Sequence, residues 1–130
     1  MVIAGPGDLY TTLLPLLLVK DIQRALQKTK AKKLYVVNIA NKPFETPSYK
    51  ASEYVEAIIK HLGTFPFTHV LVNTNQQPVI PPKLKYSYVP IDRSDLNQYN
   101  IRIHEANLVD EDFPLYHEPD KVAASIQALL

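Results

Sequence analysis

The segment Met1-Val2-Ile3-Ala4-Gly5-Pro6-Gly7-Asp8-Leu9-Tyr10-Thr11-Thr12 constrains this chain more than any other. Val2 to Ala4 reads as a short buried strand. It runs straight into a Gly-Pro-Gly turn, and a helix opens behind it. Strand, tight turn and helix in that order build a ligand crevice at the carboxyl end of a strand in an open α/β sheet. The chain has 130 residues and only three glycines. Two of them sit in this turn, so the turn is expected to need both. A chain that opens on its binding turn reads as the later part of a larger protein.

The alternation continues downstream. Asp8 is a good N-cap type, and Leu9 onward reads as a helix that Pro15 must kink or divide. Asp21 is expected to cap a second segment with Ile22, Ala25 and Leu26 on its inner face. Leu34 to Ile39 reads as a central strand buried on both faces. A polar loop from Asn38 to Tyr49 follows. Ala51 to Leu62 is the clearest helix, with Val55, Ile58, Ile59 and Leu62 on one face and Gly63 as its C′ residue. His69 to Asn73 is a third strand. Gln77 to Lys85 is proline-rich and irregular. Tyr86 to Ile91 alternates like an edge strand, and Ile101 to His104 and Asn107 to Val109 are short extended pieces. Asp110 to His117 is an acidic loop, and Pro119 suits the first turn of a last helix that turns Val122, Ile126 and Leu129 inward. Strands alternating with helical crossovers imply one α/β domain over residues 1 to 130, with three layers and a mostly parallel sheet.

Composition excludes several functions. Fourteen basic and thirteen acidic residues give a net charge of +1, spread along the chain. That is no footprint for nucleic acid or a membrane surface. The absence of cysteine rules out disulfides, thiol nucleophiles and cysteine zinc sites. Leu13 to Val19 is too short to span a bilayer and lacks the flanks of a signal peptide. His61, His69, His104 and His117 show no metal-ligand spacing, so no metal site is expected. His61 reads as a helix-dipole contact, and His117 as the approach to a helix.

Three loops meet at the carboxyl ends of the strands: Gly5 to Thr12, Asn38 to Tyr49, and Asn73 to Gln77. The first offers backbone N–H groups to an anion, but Asp8 would cap the helix itself and repel a phosphate. Taken alone, this reads first as a structural turn. Tyr10, Thr11 and Thr12 reach outward from its first helical turn. Asn38 is expected to point into the crevice. Lys42 and Glu45 read first as a solvated loop pair. Asn73, Thr74 and Asn75 are either a polar strand end or crevice lining, since an amide both donates and accepts.

Gly5-Pro6-Gly7-Asp8-Leu9-Tyr10-Thr11-Thr12-Leu13-Leu14-Pro15 resembles the Gly-Pro-Gly-Ser-Leu-Tyr-Thr-Ser segment of the gluconeogenesis factor family, the YvcK-like branch of the CofD-like fold. Tyr35-Val36-Val37-Asn38-Ile39-Ala40-Asn41-Lys42-Pro43-Phe44-Glu45-Thr46 resembles that family's Tyr-Val-x-Asn-Ile-Met-Thr-Gln-Pro-Gly-Glu-Thr. His69 to Asn73 and Tyr116 to Ala123 match in order and spacing. The resemblance implies a Rossmann-like fold and a cytoplasmic regulatory protein that binds a UDP-sugar, with roles in carbon metabolism and cell shape. It implies a ligand-binding set of Gly5, Pro6, Gly7, Asp8, Tyr10, Thr11, Thr12, Asn38, Lys42, Glu45, Thr46 and Asn73. No catalytic residue is assigned, and no cofactor is expected within the chain. The alternatives are half of a 2-phospho-L-lactate transferase-like enzyme of coenzyme F420 synthesis, and an interaction remnant without ligand. Phe44 departs from the family's usual glycine, and Asp8 from its usual serine. The family's N-terminal glycine-rich phosphate loop and early acidic metal site have no counterpart. The chain therefore reads as a C-terminal half, a split-gene half or a reduced homologue. A second copy, or a complementing N-terminal half, is the expected protein partner.

Overall fold

The computed structural model describes all 130 residues. Six strands form: β1 (Val2–Ala4), β2 (Lys33–Val36), β3 (Ala40–Asn41), β4 (His69–Asn73), β5 (Ser87–Tyr88) and β6 (Arg102–Ala106). Five α-helices accompany them: α1 (Leu14–Leu17), α2 (Lys20–Lys28), α3 (Ala51–Leu62), α4 (Arg93–Leu96) and α5 (Pro119–Gln127). The main sheet has the order β1-β2-β4-β6. Every pairing in it is parallel, in the register Ile3 with Leu34, Tyr35 with Val70, and Val70 with Ile103. Parallel neighbours need crossovers, and the helices supply them.

Residues alternate across this sheet and divide the core in two. Tyr35, Val37, Val70 and Val72 pack with Leu9, Leu13, Leu14 and Leu17 and with Tyr54, Val55 and Ile58 of α3. Leu34, Val36 and Leu71 pack on the other face with Leu108 and Val109, and with Val122, Ile126 and Leu129 around α5. This is the expected Rossmann-like α/β/α arrangement.

The first helix begins as a wide turn over Leu9–Leu13, and Leu13 N donates to Asp8 O at 2.9 Å. Pro15 then stands in the first turn of α1. In an unbroken α-helix its ring would strike the carbonyl four residues back, and the wider turn removes that clash. α3 has its expected bounds. Glu53 Oε2 accepts from Lys50 N at 2.7 Å and Asp92 Oδ1 from Ser52 N at 3.0 Å, which satisfies its first donors. Gly63 closes it at φ +78°.

Several expectations need correction. β1 is an outer strand, not a buried one, and Ile3 is 43% exposed. The central strand stops at Val36, because the chain then bends so that Ala40 and Asn41 can pair antiparallel with Tyr88 and Ser87. The Asn38 to Tyr49 segment is thus no simple polar loop, and Asn41 and Thr46 are buried. Of the alternating run Tyr86 to Ile91, only Ser87 and Tyr88 become strand. Of the expected piece Ile101 to His104, Arg102 onward belongs to a longer fourth strand that runs to Ala106, whereas Val109 makes only an isolated bridge to His117. Neither Asp8 nor Asp21 caps a helix: Asp8 makes no side-chain cap bond, and α2 begins at Lys20, with Val19 in the cap position. Of the expected inner face of α2, only Leu26 is fully buried.

Candidate functional site

Gly5 holds φ +86°, and a Cβ there would lie 2.6 Å from Val36 O. Glycine is required at this position on both counts. Gly7 is different: its backbone is ordinary, and a Cβ would meet only the Thr12 side chain at 3.4 Å. The turn therefore needs one of its two glycines. Its close approach to β2 carries the chain over the carboxyl ends of β1 and β2, where the loop after β2 meets it.

Three contacts stitch these loops together. Gly7 N donates to Asn38 Oδ1 at 3.1 Å. Lys42 Nζ forms an ion pair with Asp8 Oδ2. Glu45 Oε1 accepts from Tyr10 N at 2.9 Å and from Thr11 N at 3.3 Å. Lys42 and Glu45 are therefore not a solvated pair. Glu45 is a resident anion on the free N–H groups of the first turn, the place where a phosphate would otherwise sit. The hydrogen bond with Asp8 raises the Lys42 pKa, so its ammonium stays charged.

Thr46 anchors the loop from beneath. Its Oγ1 accepts from Lys42 N at 3.2 Å and lies 3.1 Å from the Tyr54 hydroxyl oxygen, to which its own proton can go. Tyr54 donates to Asn41 Oδ1 at 2.9 Å, and burial pushes its pKa up to about 12. The phenol is a fixed donor.

Above these contacts lies a cleft of ≈ 470 Å³ lined by Pro6, Gly7, Asp8, Asn38 and Lys42 from the expected set. Tyr10, Thr11 and Glu45 line an adjoining groove of ≈ 510 Å³ that shares Lys42 and Tyr86 with the cleft. Thr12 faces the outer edge of β1 instead, and Thr46 lies beneath the loop. Asn73 is placed elsewhere: its side chain bonds Asn75 and accepts from Leu108 N at 2.9 Å, holding the exit of β4.

Six cleft residues lie outside the expected binding set; Ile39, Ala40 and Leu115 are aliphatic, and the other three are Tyr86, Tyr116 and His117. The bridge between Val109 and His117 brings the last two over β2. His117 Nε2 lies 3.2 Å from Val37 O. A carbonyl only accepts, so the neutral ring carries its proton on Nε2 and leaves Nδ1 as an acceptor. Burial lowers the His117 pKa and so favours that neutral form. The sequence signal was the family-like order and spacing of Tyr116 to Ala123, but no spacing rule links His117 to Val37 across 80 residues.

The family model for 2-phospho-L-lactate transferase CofD matches residues 1–109. This chain belongs to the CofD family. Among CofD-like relatives, the gluconeogenesis factor of Bacillus subtilis is 33% identical over 138 residues. That of Listeria innocua is 28% identical over 135 residues, and a counterpart from Clostridium acetobutylicum is 42% identical over 130 residues. The chain spans 43%, 41% and 28% of their respective lengths, while 100%, 100% and 94% of the chain is matched. Two crystal structures of a Bacillus halodurans protein, one described as a member of the UPF0052 family, superpose with TM-scores of 0.85 and 0.86 at 31% identity. They cover 96% of this chain, which covers 42% of theirs. No helix of this CofD-family chain is long and apolar enough to cross a membrane.

Proposed function

We propose that the cleft binds a nucleoside diphosphate sugar of the UDP-sugar type. The chain would serve as the ligand-binding part of a cytoplasmic regulatory protein of the gluconeogenesis-factor kind, acting in carbon metabolism and cell shape. The observation that carries this reading is the Asp8–Lys42 pair beside Asn38 at the mouth of the cleft. Asp8 takes one donor of the ammonium, which leaves the others for diphosphate oxygens. Tyr86 and Tyr116 offer aromatic faces on which a base stacks. Family membership supports the same ligand class.

Titration calorimetry with UDP-glucose and GDP-glucose tests it. Lys42→Ala is expected to weaken binding more than about tenfold, since it also leaves Asp8 unpaired in the cleft. Asn38→Ala should cost about fivefold, one hydrogen bond. Should neither nucleotide bind at millimolar concentration, or both variants bind as the parent does, the cleft has no nucleotide role. The additional length of the relatives would supply further walls. Adding the rest of the Bacillus subtilis factor as a separate chain is expected to tighten binding. The transferase reading rests on the family model's description. It predicts consumption of a nucleotide-linked lactyl donor, followed by phosphorus NMR, and an unchanged donor removes it.

A further inference from the structure

We propose that the groove beside the cleft seats the sugar ring of that ligand, with Phe44 as its stacking platform. The inference rests on the nucleotide reading and adds the place and chemistry of the sugar.

Phe44 is 96% exposed, more than any other large hydrophobic residue. It does not sit on a loose loop. Glu45 N and Thr46 N both donate to Lys42 O, at 3.2 and 3.0 Å. The buried Thr46 side chain ties the same turn to Lys42 N and Tyr54. Leu84, exposed as well, lines the same groove, so Phe44 belongs to an apolar patch rather than standing as a single exposed side chain. Beside it lie Tyr10, Thr11, Glu45 and Tyr86 around ≈ 510 Å³ of open groove. Lys42 and Tyr86 line both this groove and the cleft. A ligand whose diphosphate reaches Lys42 therefore continues into the groove.

The donors and acceptors left over there select a neutral polyol. Glu45 Oε1 is spent on Tyr10 N and Thr11 N, while Oε2 accepts nothing within the chain and is open to a hydroxyl. The Thr11 hydroxyl reaches Asp8 Oδ2 only at 3.5 Å, so it is nearly free to turn to a ligand. A further phosphate would meet the Glu45 carboxylate, and an acyl chain would leave that carboxylate unused. A pyranose fits both features. Its ring C–H face carries partial positive charge and lies on the negative face of an aromatic ring, while its hydroxyl rim supplies donors.

The test is the 130-residue chain titrated with UDP and with UDP-glucose, as parent, Phe44→Ala and Phe44→Tyr. Phe44 lies outside the core, so the variants fold. Phe44→Ala is expected to weaken UDP-glucose about fivefold and to leave UDP unchanged, with Phe44→Tyr close to the parent. If Phe44→Ala weakens both ligands equally, or neither, the sugar does not sit on Phe44 and the nucleotide reading stands. If the parent binds neither ligand, both readings fall together.

Discussion

Glu45 concentrates the electrostatics of the site in one side chain. Its Oε1 serves two backbone donors of the first helical turn, and those donors have no other partner. Glu45→Ala is expected to lower unfolding free energy by about 1–2 kcal/mol, the worth of charge-assisted hydrogen bonds at a partly exposed site. Glu45→Gln keeps the acceptor and should lose less than half as much. Urea denaturation of the three proteins checks both numbers, and an unchanged midpoint in Glu45→Ala would remove Glu45 as the cap of this turn. None of this was legible locally. Lys42 and Glu45 stand three apart in a loop and look like each other's partners. Their actual partners, Asp8 and Tyr10, lie 34 and 35 residues earlier. Asn38 was legible because it is the polar residue that ends the buried run from Leu34, at the carboxyl end of the strand, where it meets Gly7. The glycines were half legible: composition marked the turn, but only the approach of Val36 O separates Gly5 from Gly7.

Among elements, those with a strong period emerged with their bounds, and those defined by a distant partner did not. β4 and α3 carry their own signals in branched runs and a 3.6-residue face. β3 and β5 are two residues each and exist only because they pair with one another. β6 was recognisable as extended, but its place beside β4 comes from the fold. That pairing sets His69 Nδ1 2.8 Å from His104 Nε2, with stacked rings, so one nitrogen donates and the other accepts. Burial lowers both pKa values, and the neighbouring Arg102 and Lys32 lower them further. Burial lowers that of His117 as well, against the bond to Val37. A base with a depressed folded pKa binds fewer protons folded than unfolded. Stability therefore falls as the pH drops from the ordinary imidazole value of 6.5 toward the folded values. The salt bridge with Arg93 lowers the Glu105 pKa below 4.5, so its loss comes at lower pH and is separable. Melting temperature is expected to decline between about pH 7 and 5, and His104→Asn should flatten part of the decline. A flat profile in the parent chain contradicts the burial of these rings.

At the scale of the whole molecule, the two edges of the main sheet are built differently. β6 ends the sheet with Arg102 and Glu105 facing solvent, and Arg93 pairs with Glu105. Charges of that kind discourage a further strand. β1 ends it with no such guard. Ile3 is exposed, and so are Leu16 and Ile22 beside it. Ile3, Leu16 and Ile22 help line a mostly apolar groove of ≈ 270 Å³ along this edge. Backbone groups of an unpaired strand and an adjacent apolar strip together form a template for pairing. A second copy presents the same edge and strip, so a two-fold arrangement satisfies both at once. The isolated chain is therefore expected to associate through β1, with a sedimentation coefficient that rises with protein concentration. Ile3→Lys and Leu16→Lys place charges on the strip at positions already in solvent. They should return the chain to a concentration-independent monomer without lowering its melting temperature. A parent chain that sediments as a monomer at every concentration would show that the β1 edge needs no cover, and association unaffected by the lysines would place the contact on another face.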